Sequence, residues 1–166
     1  GIPVFSSQLM RQAMEQSIGL DLPIYSHAED LELANRGCMN EGPVSEKLGM
    51  RGIPNISESV MILRDIEIAR LTGARLHICH VSCAESVEAI RWGKSQGVRV
   101  TAETAPHYFT LTDQDVETGS TEGNPNYKMN PPLRSERDRQ AMIQGLQDGT
   151  LDMIATDHAP HSPEEK

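Results

Sequence analysis

Hydrophobic positions along this 166-residue chain alternate between two rhythms, one helical and one made of short β-type runs. Over residues 6–19, Leu9, Met10, Ala13 and Met14 recur on one helical side. Residues 22–27 form an apolar run that ends in Ser26 and His27, which predicts a strand. A polar, Gly-rich stretch over residues 29–53 predicts an extended loop, of a length that suits a cover over an active site. Ser57 then reads as the N-cap of a helix carrying Val60, Ile62, Leu63, Ile66, Ile68, Ala69 and Leu71 before Gly73 ends it. Residues 75–81 predict a strand. Residues 83–97 predict a helix that buries Val87, Ile90 and Trp92. The β-branched run 98–104 predicts another strand. Residues 112–129, with Gly119, Gly123, Asn124 and Pro125, read as irregular. Residues 135–149 predict an amphipathic helix with Ala141, Met142, Ile143 and Leu146 inward, and residues 151–156 the last strand.

Four alternations of helix and strand predict the α/β class, a parallel sheet with crossover helices. Four such units are about half of an eight-stranded (β/α) barrel. Residues 1–166 read as one partial barrel domain, without internal repeat or second domain. No Gly-x-Gly-x-x-Gly or Gly-x-x-x-x-Gly-Lys follows a predicted strand, which removes the common nucleotide-binding readings.

Composition narrows the partners. A net charge of −9 argues against nucleic acid or an anionic membrane surface. No apolar stretch reaches bilayer length, no targeting signal is visible, and the chain does not open on Met. Cys38, Cys79 and Cys83 lack the spacing of a disulfide framework, so they read as reduced thiols of a cytoplasmic protein. Cys79 and Cys83 flank His80, yet strand alternation turns Cys79 away from His80 and Cys83 begins the next helix. A cysteine zinc site there is not expected.

The chemistry concentrates at strand ends. His27, His80 and Asp157 each follow an apolar run, and two imidazoles with one carboxylate at one rim are the makings of a metal site. A buried carboxylate needs a cation or several donors, and one beside a metal can also move a proton. His77 and His80 are three apart in a strand, so they face opposite ways; His80 is nearer the mouth and His77 reads as structural. In Lys128-Met129-Asn130-Pro131-Pro132-Leu133-Arg134, two prolines fix the backbone around Asn130. Its amide then either binds a polar substrate or serves a helix-entry turn. His161 either faces a substrate carboxylate or stands in an exposed loop, and His107 is left without a role.

These segments together resemble the metal-dependent amidohydrolase superfamily and, within it, the dihydroorotases of the bacterial class I branch. The resemblance rests on an ordered set: His27-Ala28-Glu29-Asp30, residues 41–49, Gly52-Ile53-Pro54, Ser57-Glu58-Ser59, Cys79-His80-Val81-Ser82, Thr101-Ala102-Glu103, residues 128–134 and residues 155–161. It implies a (β/α)8 barrel with two Zn2+ ions per complete site. His27 and His80 would be the ligands from strands 5 and 6. Asp157 would be the strand 8 aspartate, both metal ligand and general acid/base. Asn130 and His161 would hold the substrate's ring and carboxylate. The implied reaction is the reversible cyclisation of N-carbamoyl-L-aspartate to L-dihydroorotate in pyrimidine biosynthesis.

The family's strand 1 His-x-His pair and the strand 4 residue that bridges the metals have no counterpart here. The resemblance therefore places the chain after those elements, as strands 5–8, with the N-terminal half of the barrel as its missing partner. The chain alone is expected to be inactive. A homo-oligomer or association with aspartate carbamoyltransferase are further partners the resemblance suggests. Two other functions share the pattern. One is a hydantoinase or allantoinase type of cyclic amidohydrolase, against which residues 41–49 and His161 argue. The other is a non-catalytic, dihydroorotase-like scaffold for aspartate carbamoyltransferase, against which the intact His27, His80 and Asp157 argue.

Overall fold

The computed structural model describes residues 2–117 and 124–162. In chain order these form α1 (Ser7–Gly19), β1 (Ile24–Ser26), α2 (Leu31–Ala34), β2 (Met39–Asn40), α3 (Pro43–Leu48), β3 (Gly52–Ile53) and α4 (Ile56–Thr72). There follow β4 (Leu76–Ile78), α5 (Ala84–Ser95), β5 (Val100–Thr104), α6 (Pro106–Thr110), α7 (Gln114–Glu117), a 3-10 turn at Pro125–Tyr127, α8 (Glu136–Gln147) and β6 (Met153–Ile154). The main sheet is four-stranded in the order β1-β4-β5-β6. Every pair is parallel, with Ile24 opposite Leu76, Leu76 opposite Val100, and Glu103 opposite Met153. Parallel neighbours need crossovers, and α4, α5 and α8 supply them. The α/β reading with parallel βα units is therefore correct.

Alternation along the strands sorts the two faces of the sheet. Leu76, Ile78, Val100 and Ala102 are buried, and they join Ile62, Ile66, Val87 and Ile90 of α4 and α5 in the core. Ser26 also faces the helices, and its hydroxyl donates to the buried Asp65 carboxylate of α4 at 2.6 Å. Arg64 holds the other oxygen of Asp65 at 2.7 Å. Burial raises the Asp65 pKa despite the Ser26 and Arg64 contacts. This anchor lies one residue before His27, so α4 fixes the end of β1.

Several expectations change. Residues 29–53 are not one irregular loop: β2 and β3 pair in parallel there, Met39 with Gly52 and Asn40 with Ile53. Glycine is required at the crossing, since a Cβ on Gly52 would lie 2.4 Å from the Glu41 backbone. The N-cap of α4 is Asn55; Ser57 lies inside the first turn and its hydroxyl donates to the Pro54 carbonyl at 2.8 Å. Trp92 is 38% exposed, on the outer side of α5, while Val87 and Ile90 fill the buried side. Residues 112–129 hold α7 and the 3-10 turn, with Gly119 and Gly123 outside the described residues. The last strand is only half covered. Leu151 is buried, but Met153 and Ile154 are 47% and 53% exposed, because β6 pairs with β5 alone among the described residues.

A buried polar network ties the connecting segments to the sheet. Glu58 of α4 accepts from the Ser82 backbone N–H at 3.0 Å and from the Ser82 hydroxyl. Arg134, also buried, donates to the Ile53 carbonyl at 2.6 Å, to Asn40 and to Ser82. Asn40 in turn donates to Asp113 at 2.8 Å. These bonds satisfy groups that would otherwise be costly to bury, and they fix the segment that follows His80.

Candidate metal centre

His27 and His80 meet at the C-terminal ends of β1 and β4. His27 Nδ1 lies 2.9 Å from His80 Nε2, and the two rings stand edge to face at 70°. Backbone geometry explains how His80 arrives there. At φ +39 it leaves the strand through the left-handed region, so its ring does not follow strand alternation. Asp157, just beyond β6, also has a positive φ, +47. Non-glycine residues pay roughly 1–3 kcal/mol for such conformations, which persist where the surroundings enforce them and cluster at functional sites.

A second contact extends the pair. Glu29 Oε2 lies 3.2 Å from His27 Nε2 and accepts from the Asn130 side-chain amide, also at 3.2 Å. Asn130 thus serves neither backbone nor helix entry in these contacts; its amide points to the carboxylate that orients His27. Glu29 and its bridging position were not expected from the sequence, although it stands only two residues after His27. Asp157 and His161 line a cavity of about 560 Å³ that Asn130, Lys128 and His107 also line. Both are exposed there. Asp157 is exposed, not buried as the sequence reading expects of it, and among the described residues no close group of donors joins it to His27 and His80. Burial and the neighbouring His27 lower the His80 pKa, against an opposing pull from Glu58 and Asp157. His107 is lowered by burial and by His80, again opposed by Asp157. His107 therefore belongs to the same electrostatic neighbourhood, a role that its place after a strand was the only sequence hint of.

The pair suits a divalent ion. Two nitrogens bound to one tetrahedral metal at about 2.0–2.1 Å would stand roughly 3.3 Å apart, close to the distance found here. His80 Nδ1 is buried without a hydrogen-bond partner. A lowered pKa keeps that ring neutral, the form a metal ligand needs. Among the described residues, the one group of three or more donors already close enough to share an ion is a different one, His77, Cys79 and Glu103. Cys83 is not part of either set; its thiol contacts Ser86 Oγ at 3.0 Å within the core.

The chain resembles known proteins along its whole length. A family model described as dihydro-orotase-like matches residues 1–86. A dihydroorotase of Desulforapulum autotrophicum is 62% identical, and one of Desulfotalea psychrophila 60% identical, each over all 166 residues. The chain spans 38% of the length of both relatives. Among solved structures, a D-hydantoinase from a Thermus species superposes with a TM-score of 0.81 at 26% identity, covering 97% of this chain and 36% of the other. A dihydropyrimidinase from Brevibacillus agri superposes at 0.80 and 25%, covering 95% and 35%. The four parallel strands and their outer helices are thus an arc of the barrel these cyclic amidohydrolases share. With 86 of its 166 residues matched by the family model, this chain belongs to the dihydro-orotase-like family.

Proposed function

We propose that this chain carries one side of a zinc-dependent dihydroorotase active site, in a partial barrel domain spanning residues 1–166. The reaction is the reversible interconversion of N-carbamoyl-L-aspartate and L-dihydroorotate in pyrimidine biosynthesis. The observation that carries the reading is the His27–His80 contact at two strand ends, with Glu29 and Asn130 joined to it; Asn130 also lines the cavity that Asp157 and His161 line. The dihydroorotase relatives at 62% and 60% identity support the substrate. Because the chain spans 38% of their length, full activity on this reading needs the remaining strands of the barrel.

In the hydrolytic direction one water adds across the ring amide bond. Its oxygen ends in the new carboxylate, and one proton goes to the departing ring nitrogen. His27 and His80 would hold zinc, of which the complete site would take two, and a bound zinc ion acidifies water and polarises an amide carbonyl. Asp157 would be a metal ligand as well, and would take the proton from the attacking water and return it to the ring nitrogen. Glu29 fixes the orientation of His27, as the outer partners of ligating histidines do. Asn130 and His161, which line one cavity, would hold the substrate's ring and carboxylate. On this reading the protein would act in the cytoplasm, as its dihydroorotase relatives suggest. Among the described residues no helix is long and apolar enough to cross a membrane. The same reading allows a homo-oligomer or a complex with aspartate carbamoyltransferase.

The hydantoinase reading is kept alive by one observation, the superposition on D-hydantoinase and dihydropyrimidinase structures. A substrate panel separates the two. The intact protein, zinc-loaded, is expected to turn over carbamoyl aspartate and dihydroorotate and to leave hydantoin and allantoin unchanged. Preferential turnover of hydantoin would replace the dihydroorotase reading.

A further inference from the structure

We propose that His77, Cys79 and Glu103 form a second cation site, distinct from the His27–His80 pair, that takes a borderline-soft divalent metal such as Zn2+ or Co2+ on the inner face of the sheet. The three donors come from adjacent strands by simple geometry. His77 and Cys79 are two residues apart at β4, so alternation puts both on the face away from the helices. His77 stands opposite Thr101 in the register of β5, and Glu103 follows two residues on, on the same face. One donor atom from each, a ring nitrogen, the thiol sulfur and a carboxylate oxygen, lies within 4.8 Å of the others.

His77 is set up as a ligand would be. Its ring is 3% exposed and lies against Tyr25, with ring centroids 4.9 Å apart. Nδ1 is 2.8 Å from the Thr101 hydroxyl, and Nε2 is 3.1 Å from Glu103 Oε2. A ligating imidazole needs one nitrogen free for the metal and the other fixed by an outer partner; Thr101 is that partner. The nitrogen-to-oxygen distance at Glu103 is already near the separation of two ligands on one ion. A hydrogen bond between His77 and Glu103 accounts for those two residues but leaves the thiol beside them without a part. An N, S, O donor set with a fourth position open selects zinc or cobalt over magnesium or calcium, which take oxygen ligands.

Binding balances as follows. The S–H bond of Cys79 breaks, its proton leaves to solvent, and a sulfur–metal bond forms. His77 changes tautomer: its single ring proton moves from Nε2 to Nδ1 by exchange with solvent, the Nδ1–H donates a hydrogen bond to the Thr101 hydroxyl, and the freed Nε2 lone pair binds the metal. Glu103 exchanges its contact with His77 for the ion. None of these residues holds the His27–His80 pair, so the inference stands apart from the proposed reaction.

Cobalt substitution of the intact protein tests it, because the donor set proposed for the strand-end centre contains no sulfur. Co2+-loaded protein is expected to show thiolate-to-cobalt charge-transfer absorption in the near ultraviolet. The band should vanish in Cys79→Ser and persist in His27→Ala. Glu103→Gln provides the check if Cys79→Ser does not fold: the Co2+ concentration needed for the band should rise about tenfold or more, the scale on which even outer partners of a metal site act. Absence of the band at saturating Co2+, its survival in Cys79→Ser, its loss in His27→Ala, or an unchanged affinity in Glu103→Gln would each overturn the proposal. Turnover is not read, so failure of the dihydroorotase assignment leaves this outcome untouched.

Discussion

The two faces of one four-stranded sheet have opposite characters. The outer face is apolar and closed: Leu76, Ile78, Val100 and Ala102 are covered by α4 and α5, and a buried carboxylate of α4, Asp65, is held by Ser26 and Arg64. The inner face is polar and, at its edges, open: Tyr25 is 68% exposed, and His77, Cys79 and Glu103 form a donor cluster instead of a core. Burial of apolar surface at about 25 cal/mol per Å² makes the outer face the source of stability. The inner face and the rim above it contribute chemistry. The difference teaches that in this fold stability and function are assigned to alternate residues of the same strands, so neighbouring substitutions should have unrelated consequences.

The largest break in the comparison is expected at Arg134, which belongs to neither face but links the segments behind the rim. Arg134→Ala leaves the buried Glu58 without its cation and the Ile53 carbonyl without its donor. Removing one partner of a buried pair costs about 3–5 kcal/mol, so denaturant unfolding should show a large loss or no folded protein. Next comes a matched pair on β1 and β4. Ile78→Ala opens the outer core and should cost about 2–5 kcal/mol by the same measurement. Tyr25→Ala, which removes one ring contact to His77 on the more open inner face, should cost less than Ile78→Ala. Equal costs would erase the distinction between the faces.

The pH dependence differs between the faces too. The His80 pKa is lowered in the fold, so its contribution to stability is present above the ordinary imidazole value of 6.5 and is lost as pH falls through the lowered value. Asp65 is raised, so its contribution is present below the ordinary 3.8 and is lost as pH rises through its folded value. Thermal unfolding of His80→Asn across pH 4–8 should therefore lose the acid-side slope assigned to His80 while keeping the rest of the profile. The smallest effect is on the surface. Asp148, held down to about 2 by Thr150 and Arg91, favours the fold above 3.8 and less so as pH falls toward 2. Arg91→Ala should shift the acid-unfolding midpoint only slightly upward.

Much of the fold was legible from periodicity. The helices and strands of the main sheet alternate as the apolar rhythm predicts, and Gly73 and Gly97 end helical segments with positive φ. What was not legible depends on partners distant in sequence. β2 and β3 are two residues each and exist only because residues 39–40 meet residues 52–53. The exposure of Met153 and Ile154 depends on what lies beside β6, which their apolar character does not report. At the candidate site, the strand-end histidines were visible as endings of apolar runs. The left-handed turn at His80, the Glu29 bridge to Asn130 and the grouping of His77 with Cys79 and Glu103 come from backbone geometry and cross-strand register. Alternation sets His77 and Cys79 on one face of β4, and the left-handed turn at His80 is what carries its ring to His27 at the rim.

The account rests on His27 and His80 sharing a metal at the rim and on Asp157 moving the proton there. The direct measurement is zinc content and carbamoyl aspartate turnover in the intact protein, compared with His80→Ala and Asp157→Asn. His80→Ala should lose rim-bound zinc and turnover while still unfolding cooperatively, and Asp157→Asn should lower kcat by about 10²–10⁴. A folded His80→Ala protein with wild-type turnover would contradict the account.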